Sequence, residues 1–249
     1  MFESLQPKQA FGVGIAAGIM GLCTLGFIFL LSQQYPTLLG NKGGDKAPVV
    51  AQQPTPSAPV DAGTGEINMA PVSGDDHIRG DANAPVVIVE YSDTECPFCK
   101  QFHTTMQQVV EKYGDQVAWV YRHFPLDQLH AKARNEAHAT ECAAELGGND
   151  GFWAFTDQVY ARTNSNDSLP ETELAVIAGD IGLNVDKFND CMESNRYADK
   201  VQAMYEDAIS AGGRGTPYSV IVAGDTKIPL NGAQPIEQIE SVIDSLLAQ

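Results

Sequence analysis

The chain is 249 residues long and carries 32 Asp and Glu against 15 Lys and Arg, a formal charge of −17. That balance excludes nucleic-acid binding, which needs a basic face, and describes a self-repelling acidic surface. The first third lacks the composition of a core, so one globular domain of ordinary size is expected over residues 74–249.

Residues 1–10 are a short end, expected to be cytoplasmic. Phe11 to Leu31 then runs without a charged residue, long enough as a helix to cross a hydrocarbon core of roughly 30 Å. It reads as an uncleaved transmembrane anchor over 11–31. A cleaved signal peptide is the alternative, but no Ala occurs between Ala17 and Ala47, so an A-x-A cleavage site is missing. Leu22 stands where a lipoprotein at Cys23 needs a small residue, and Gly14 with Gly18 makes a weak helix-pairing motif. Lys8 on one side and Lys42 and Lys46 on the other leave orientation undecided by charge. The cysteines point outward: disulfides persist outside the cytosol, so a single-pass protein of the cell membrane with an extracytoplasmic domain is expected. Residues 32–73, rich in Pro, Gly, Gln, Ala and Thr, read as a disordered tether, a spacer more than a Pro-rich binding site.

Val86 to Tyr91 is β-branched, follows Pro85 and reads as a buried strand. Cys96-Pro97-Phe98-Cys99 opens a helix expected to reach Tyr113. Pro97 suits the first turn, where its missing N–H has no partner to lose, and Cys96 then falls in the N-cap region. A strand over Val117–Arg122 follows, and a helix from Gln128 to Leu146 stopped by Gly147-Gly148. An amphipathic stretch runs from Phe152 to Arg162, and its aromatic residues Phe152, Trp153 and Phe155 are expected in the core. Ser168-Leu169-Pro170-Glu171 resembles a capping box opening a helix to Ile181, and Val185–Glu193 and Tyr197–Ala211 supply two more. Pro217–Val222 and Lys227–Leu230 read as a hairpin around Gly224-Asp225, and Ile236–Leu247 as a closing helix. Strands split by a block of helices describe an α/β thioredoxin fold with a helical insertion over about 128–212.

Apart from Cys23, four cysteines remain, Cys96, Cys99, Cys142 and Cys191, an even number as two pairs would require. Two thiols one helical turn apart can close a disulfide and reopen it. Cys96 has the better nucleophile's place, because the unpaired N–H groups and dipole of a helix N-terminus favour thiolate over thiol. No cofactor and no metal is needed for that chemistry.

In order and spacing, Asp76-His77-Ile78-Arg79-Gly80, Ala84-Pro85-Val86, Glu90-Tyr91-Ser92-Asp93, Cys96-Pro97-Phe98-Cys99 and Gly215-Thr216-Pro217 resemble the DsbA-like thiol:disulfide oxidoreductases of the thioredoxin superfamily, in their membrane-anchored single-domain form. The resemblance runs from about Asp75 to the C-terminus. It implies Cys96 as the attacked sulfur, Cys99 as its buried partner, and Glu90 as a partly buried acid that relays protons to Cys99. It further implies a cis bond at Thr216-Pro217 facing the two thiols and offering main-chain groups to substrate. A structural disulfide between Cys142 and Cys191 is implied too, with two separate core thiols or a second redox relay as alternatives. Phe98 stands where the enteric oxidase-type pattern has histidine. His103, one turn after Cys99, is expected to face solvent.

The function expected is an oxidase that introduces disulfides into unfolded or exported cysteine-bearing proteins, with a membrane quinone-linked enzyme to reoxidise Cys96 and Cys99. The soluble domain is expected to be monomeric. A reductase or isomerase of the same fold, fed by a reductant donor, is the second reading. A copper or zinc carrier using Cys96, Cys99 and His103 is the third.

Overall fold

The computed structural model describes residues 67–249. In chain order these form β1 (His77–Arg79), β2 (Val86–Ser92), α1 (Pro97–Tyr113), a 3-10 turn (Gly114–Gln116), β3 (Val117–His123), α2 (Ala133–Arg162), α3 (Thr172–Asp180), α4 (Val185–Ser194), α5 (Ala198–Ser210), β4 (Tyr218–Ala223), β5 (Thr226–Asn231) and α6 (Ile236–Leu247). The five strands make one sheet in the order β1-β3-β2-β4-β5, parallel between β2 and β3 and antiparallel elsewhere.

Central strand β2 is buried on both faces, which explains why its sequence shows no polar alternation. Its side chains nevertheless divide by the strand's period of two. Val86 and Ile88 enter a core with Phe102, Met106 and Val109 of α1, Trp119 and Tyr121 of β3, and Ile239 and Ile243 of α6. Val89 and Tyr91 enter the core on the opposite face, with Val120, Phe124, Tyr218, Val220 and Ala208 of α5. Glu90, in phase with Ile88, is therefore aimed at the face that α1 covers, fully buried.

The insertion has its own core: Ala139, Cys142, Phe155, Val159, Leu169, Leu174, Ile177, Phe188 and Cys191. A disulfide joins Cys142 of α2 to Cys191 of α4 across a sequence separation of 49. Closing a loop of that length disfavours the unfolded chain by about 4 kcal/mol in the chain-entropy picture.

Several expected elements move. Strand β1 pairs antiparallel with β3, Arg79 opposite Trp119; three mostly polar residues are too short to show a strand's periodicity. Gly80 ends it at φ +103, where a Cβ would come within 2.7 Å of the Val117 carbonyl oxygen, so only glycine lets β1 lie that close to β3. Helix α2 begins at Ala133, not Gln128, because the side chain of Asp167, far along the chain, accepts from the N–H groups of Ala131 and Lys132 at 3.0 and 2.9 Å. The Gly147-Gly148 stop survives as a kink at Gly148 (φ 64, ψ −157). The Ser168 capping box does not form: α3 starts at Thr172 without a side-chain cap, and Ser168 Oγ instead accepts from Asn164 N–H at 2.7 Å. Ile67 to Ser73, the end of the stretch expected to be a tether, packs on the domain: Met69 is buried, and the Arg122 guanidinium donates to the carbonyl oxygens of Ala70 and Pro71. Among the described residues no helix is long and apolar enough to cross a membrane; the expected span at 11–31 lies outside them.

Candidate active site

The end of β2 and the start of α1 are joined by a tight turn in which Cys96 N–H donates to the Asp93 carbonyl at 3.1 Å. Cys96 is the N-cap of α1, in extended conformation (φ −78, ψ 123), with Pro97 in the first turn. The two thiols are reduced and unequal in exposure: Cys96 retains 5% and Cys99 none. Cys96 Sγ faces the cis Thr216-Pro217 segment, its thiol donating to the Thr216 carbonyl at 3.4 Å. Phe98 stands at the rim, 60% exposed.

The electrostatics separate the sulfurs further. The Cys99 thiol beside Cys96 is the largest influence on it and holds its pKa down, to about 6, against burial. Thr216 and the backbone N–H groups of Phe98 and Cys99 act in the same direction. Burial pushes Cys99 well above an ordinary thiol, and the neighbouring charges of Cys96 and Glu90 add to it. Glu90 sits fully buried with one oxygen accepting from the Trp119 indole N–H at 2.8 Å and the other without a partner among the described residues. Burial pushes its pKa up to about 7, against the Trp119 hydrogen bond. A buried carboxyl that titrates near neutrality beside a buried thiol can take up and release that thiol's proton.

His103 corrects its expectation. It is 3% exposed, and its Nε2 pairs with Asp157 Oδ1 at 2.7 Å, while the ring packs against Trp119 and Tyr160. Burial, outweighing Asp157, lowers its pKa and favours the neutral ring. Cys96, Cys99 and His103 do not converge as a ligand set. Among the described residues the one close grouping of ligand atoms is His138, Cys142 and Cys191, and both sulfurs there are committed to the disulfide.

Trp119 and Tyr160 are residues that the motifs did not include, and Asp93 was quoted among them without a role. Trp119 was within reach of the pattern, since it lies opposite Ile88 in the parallel register and shares the face of Glu90. Tyr160 bonds Ser92 and Tyr121 through its hydroxyl, each at 3.0 Å. Asp93, buried, pairs with His130 Nδ1 at 2.9 Å and accepts from the N–H groups of Leu126 and Glu95. His130 and Leu126 come from a distant segment, and no local spacing announces them.

A family model described as thioredoxin matches residues 72–245. Among solved structures, DsbA2 of Pseudomonas aeruginosa is 31% identical with a TM-score of 0.61, covering 71% of this chain and 97% of its own. The alpha-DsbA1 of Wolbachia pipientis is 26% identical, also with a TM-score of 0.61, over 71% and 93% of the two chains. The Na(+)/H(+) antiporter NhaA 1 of Mycolicibacterium gilvum is 30% identical over 168 residues, 67% of this chain and 26% of the antiporter. The chain thus spans about a quarter of the length of the curated relatives it matches. Fold, paired thiols and family match agree: the chain belongs to the thioredoxin family as a DsbA-like thiol:disulfide oxidoreductase domain.

Proposed function

We propose that the protein is an oxidase that places disulfides in unfolded or exported proteins, working from the extracytoplasmic side of a membrane to which residues 11–31 anchor it. The observation that carries this reading is the inequality of Cys96 and Cys99. A substrate thiolate attacks Cys96 Sγ of the oxidised pair, the Cys96–Cys99 bond breaks, and Cys99 leaves with a proton from Glu90. A second substrate thiolate then attacks the substrate sulfur of the mixed disulfide and displaces Cys96 as a thiolate. The substrate has lost two electrons and the enzyme pair has gained them. A thiol held down to about 6 is a good leaving group in that second step and stabilises the reduced enzyme, which supports oxidation over reduction.

The Thr216 carbonyl beside Cys96 offers substrate main chain a partner, and recognition through backbone fits an enzyme that accepts many sequences. Two electrons then pass to a reoxidant, which we assign to a membrane quinone-linked enzyme on the strength of the anchor. Cys99→Ala leaves Cys96 without its resolving partner. In cells the variant's Cys96 thiolate is expected to attack disulfides of exported proteins, releasing one substrate thiolate and accumulating mixed disulfides that reductant releases; absence of any such adduct overturns the oxidase reading.

A further inference from the structure

Asp93 lies in the turn between β2 and Cys96, buried, and each of its polar atoms has a partner. Its main-chain N–H donates to Cys99 Sγ at 3.5 Å, and its carbonyl accepts from Cys96 N–H at 3.1 Å and from the Tyr160 hydroxyl at 3.4 Å. Of the carboxylate oxygens, Oδ1 accepts from Glu95 N–H at 2.8 Å, and Oδ2 accepts from Leu126 N–H at 2.8 Å and meets His130 Nδ1 at 2.9 Å. A carboxylate can only accept, so the buried His130 ring donates to it through Nδ1. One residue thereby touches both cysteines and the loop that leads into α2.

The clasp closes on itself. Ala131 and Lys132, which follow His130, donate to the Asp167 carboxylate; Asn166 N–H donates to the Glu95 carbonyl at 2.8 Å; and Glu95 N–H returns to Asp93. The ring passes through Ser165, Asn166 and Asp167 at φ 66, 54 and 62°, a conformation that persists where surrounding bonds impose it. The exchange chemistry has a use for such a fixed arrangement. When a substrate thiolate attacks Cys96, the electron pair of the Cys96–Cys99 bond goes to Cys99 Sγ, which is fully buried, before Glu90 delivers a proton. A donor already aimed at that sulfur stabilises the charge as it forms, with no reorganisation to make. Among the described residues, the Asp93 N–H is the one main-chain donor to Cys99 Sγ.

We propose that the side chains of Asp93 and His130 are positioning residues for the Cys99 sulfur: the carboxylate, gripped by His130, Leu126 and Glu95, holds the Asp93 N–H on Cys99 Sγ. The same N–H serves both directions of exchange. It receives the charge when Cys99 leaves, and it favours the Cys99 thiolate when that sulfur attacks a mixed disulfide at Cys96. Cys96 has its own stabilising groups at the N-terminus of α1 and does not draw on this one. Letting go of the carboxylate frees the turn to tilt and takes the donor off Cys99.

This rests on thiol exchange between Cys96 and Cys99, not on the oxidase assignment, and its test reads that exchange alone. The reduced full-length protein is mixed with oxidised glutathione, and acid-quenched samples are followed by mass spectrometry as the Cys96 adduct forms and decays. In the first step the Cys96 thiolate attacks one glutathione sulfur and releases one glutathione thiolate. In the second Cys99, its proton passed to Glu90, attacks Cys96 Sγ and releases the other, so that the pair loses two electrons and glutathione gains them. Asp93→Asn keeps the size of the side chain and the bond from Glu95 but turns an amide N–H toward Leu126 and His130. It is expected to slow the second step about tenfold, less than outright loss of a donor costs, and to leave the first unchanged. His130→Ala is expected to slow the second step likewise, and His130→Asn, whose amide N–H stands where the ring Nδ1–H stood, to restore it. A second step as fast as wild type's in Asp93→Asn or His130→Ala, equal slowing of both steps, or no recovery in His130→Asn overturns the proposal, and the His130 pair decides it even if Asp93→Asn fails to fold. Trapping by Cys99→Ala develops no charge on residue 99, so the oxidase reading and this assignment stand or fall separately.

Discussion

Two sulfurs one helical turn apart are kept chemically unequal by where each one sits. Cys96, at a helix N-terminus with a neighbouring thiol to donate to it, is expected to react as thiolate down to about pH 6, and the pH dependence of its alkylation by iodoacetamide is the check. A midpoint near that of an ordinary thiol, about 8.5, would remove the basis for its leaving-group role. Glu90 has its folded pKa raised from 4.5 to about 7, so folding takes up a proton between those values. Its contribution to stability is full below the unfolded value and is lost as pH rises through about 7. Glu90→Gln is therefore expected to be more stable than wild type at pH 8, by on the order of 2 to 3 kcal/mol, and little changed at pH 4. The same variant should slow resolution by Cys99 roughly a hundredfold. Urea unfolding at the two pH values reads the first effect and stopped-flow mixed-disulfide decay the second; equal stability differences at both pH values contradict the assignment.

At the scale of elements, one cross-link closes the insertion on itself and a second holds it on the sheet. The Cys142–Cys191 bond ties α2 to α4, and replacing both with Ala should lower unfolding free energy by about 4 kcal/mol while leaving Cys96 reactivity intact at low temperature. The second link is electrostatic: Glu141 of α2, almost wholly buried, meets His77 of β1 at 3.1 Å, His123 of β3 at 3.2 Å and Lys200 of α5 at 2.7 Å. Burial opposes its charge, but His123 and His77 outweigh it and hold the carboxyl below the usual carboxylate range. That stabilisation is present above the unfolded carboxylate value and lost as pH falls below it. Glu141→Gln removes the charge shared by His77, His123 and Lys200 and should cost about 3 to 5 kcal/mol at pH 7, measured by denaturant unfolding. None of this was readable as spacing: Glu141 carries no local mark within the helix expected over Gln128–Leu146, and β1 was a quoted motif before it was a strand. By contrast β2, α1 and α6 were legible within a residue or so, because β-branched runs, a first-turn proline and helical periodicity are local signals. Cap positions failed where the capping group came from afar, as Asp167 does for α2, or where a sequence match to a capping box found its serine already engaged, as at Ser168.

For the molecule as a whole, the site is assembled from three stretches that only the fold brings together: the end of β2, the start of α1 and the Thr216-Pro217 turn before β4. The sequence made that assembly legible because each stretch carries its own mark, a buried strand, a Cys-x-x-Cys and an X-Pro at a strand's start. The supporting side chains, Trp119 under Glu90 and His103 paired with Asp157, carry no such mark and depend on packing for their meaning. The proposed oxidase function requires the reduced state of the pair to be the stabilised one, and the equilibrium reduction potential of Cys96/Cys99 reads that directly. Measured against glutathione at pH 7, a potential clearly more oxidising than thioredoxin's, about −270 mV, is expected. A value at or below that level contradicts the oxidase reading and makes the protein a reductant.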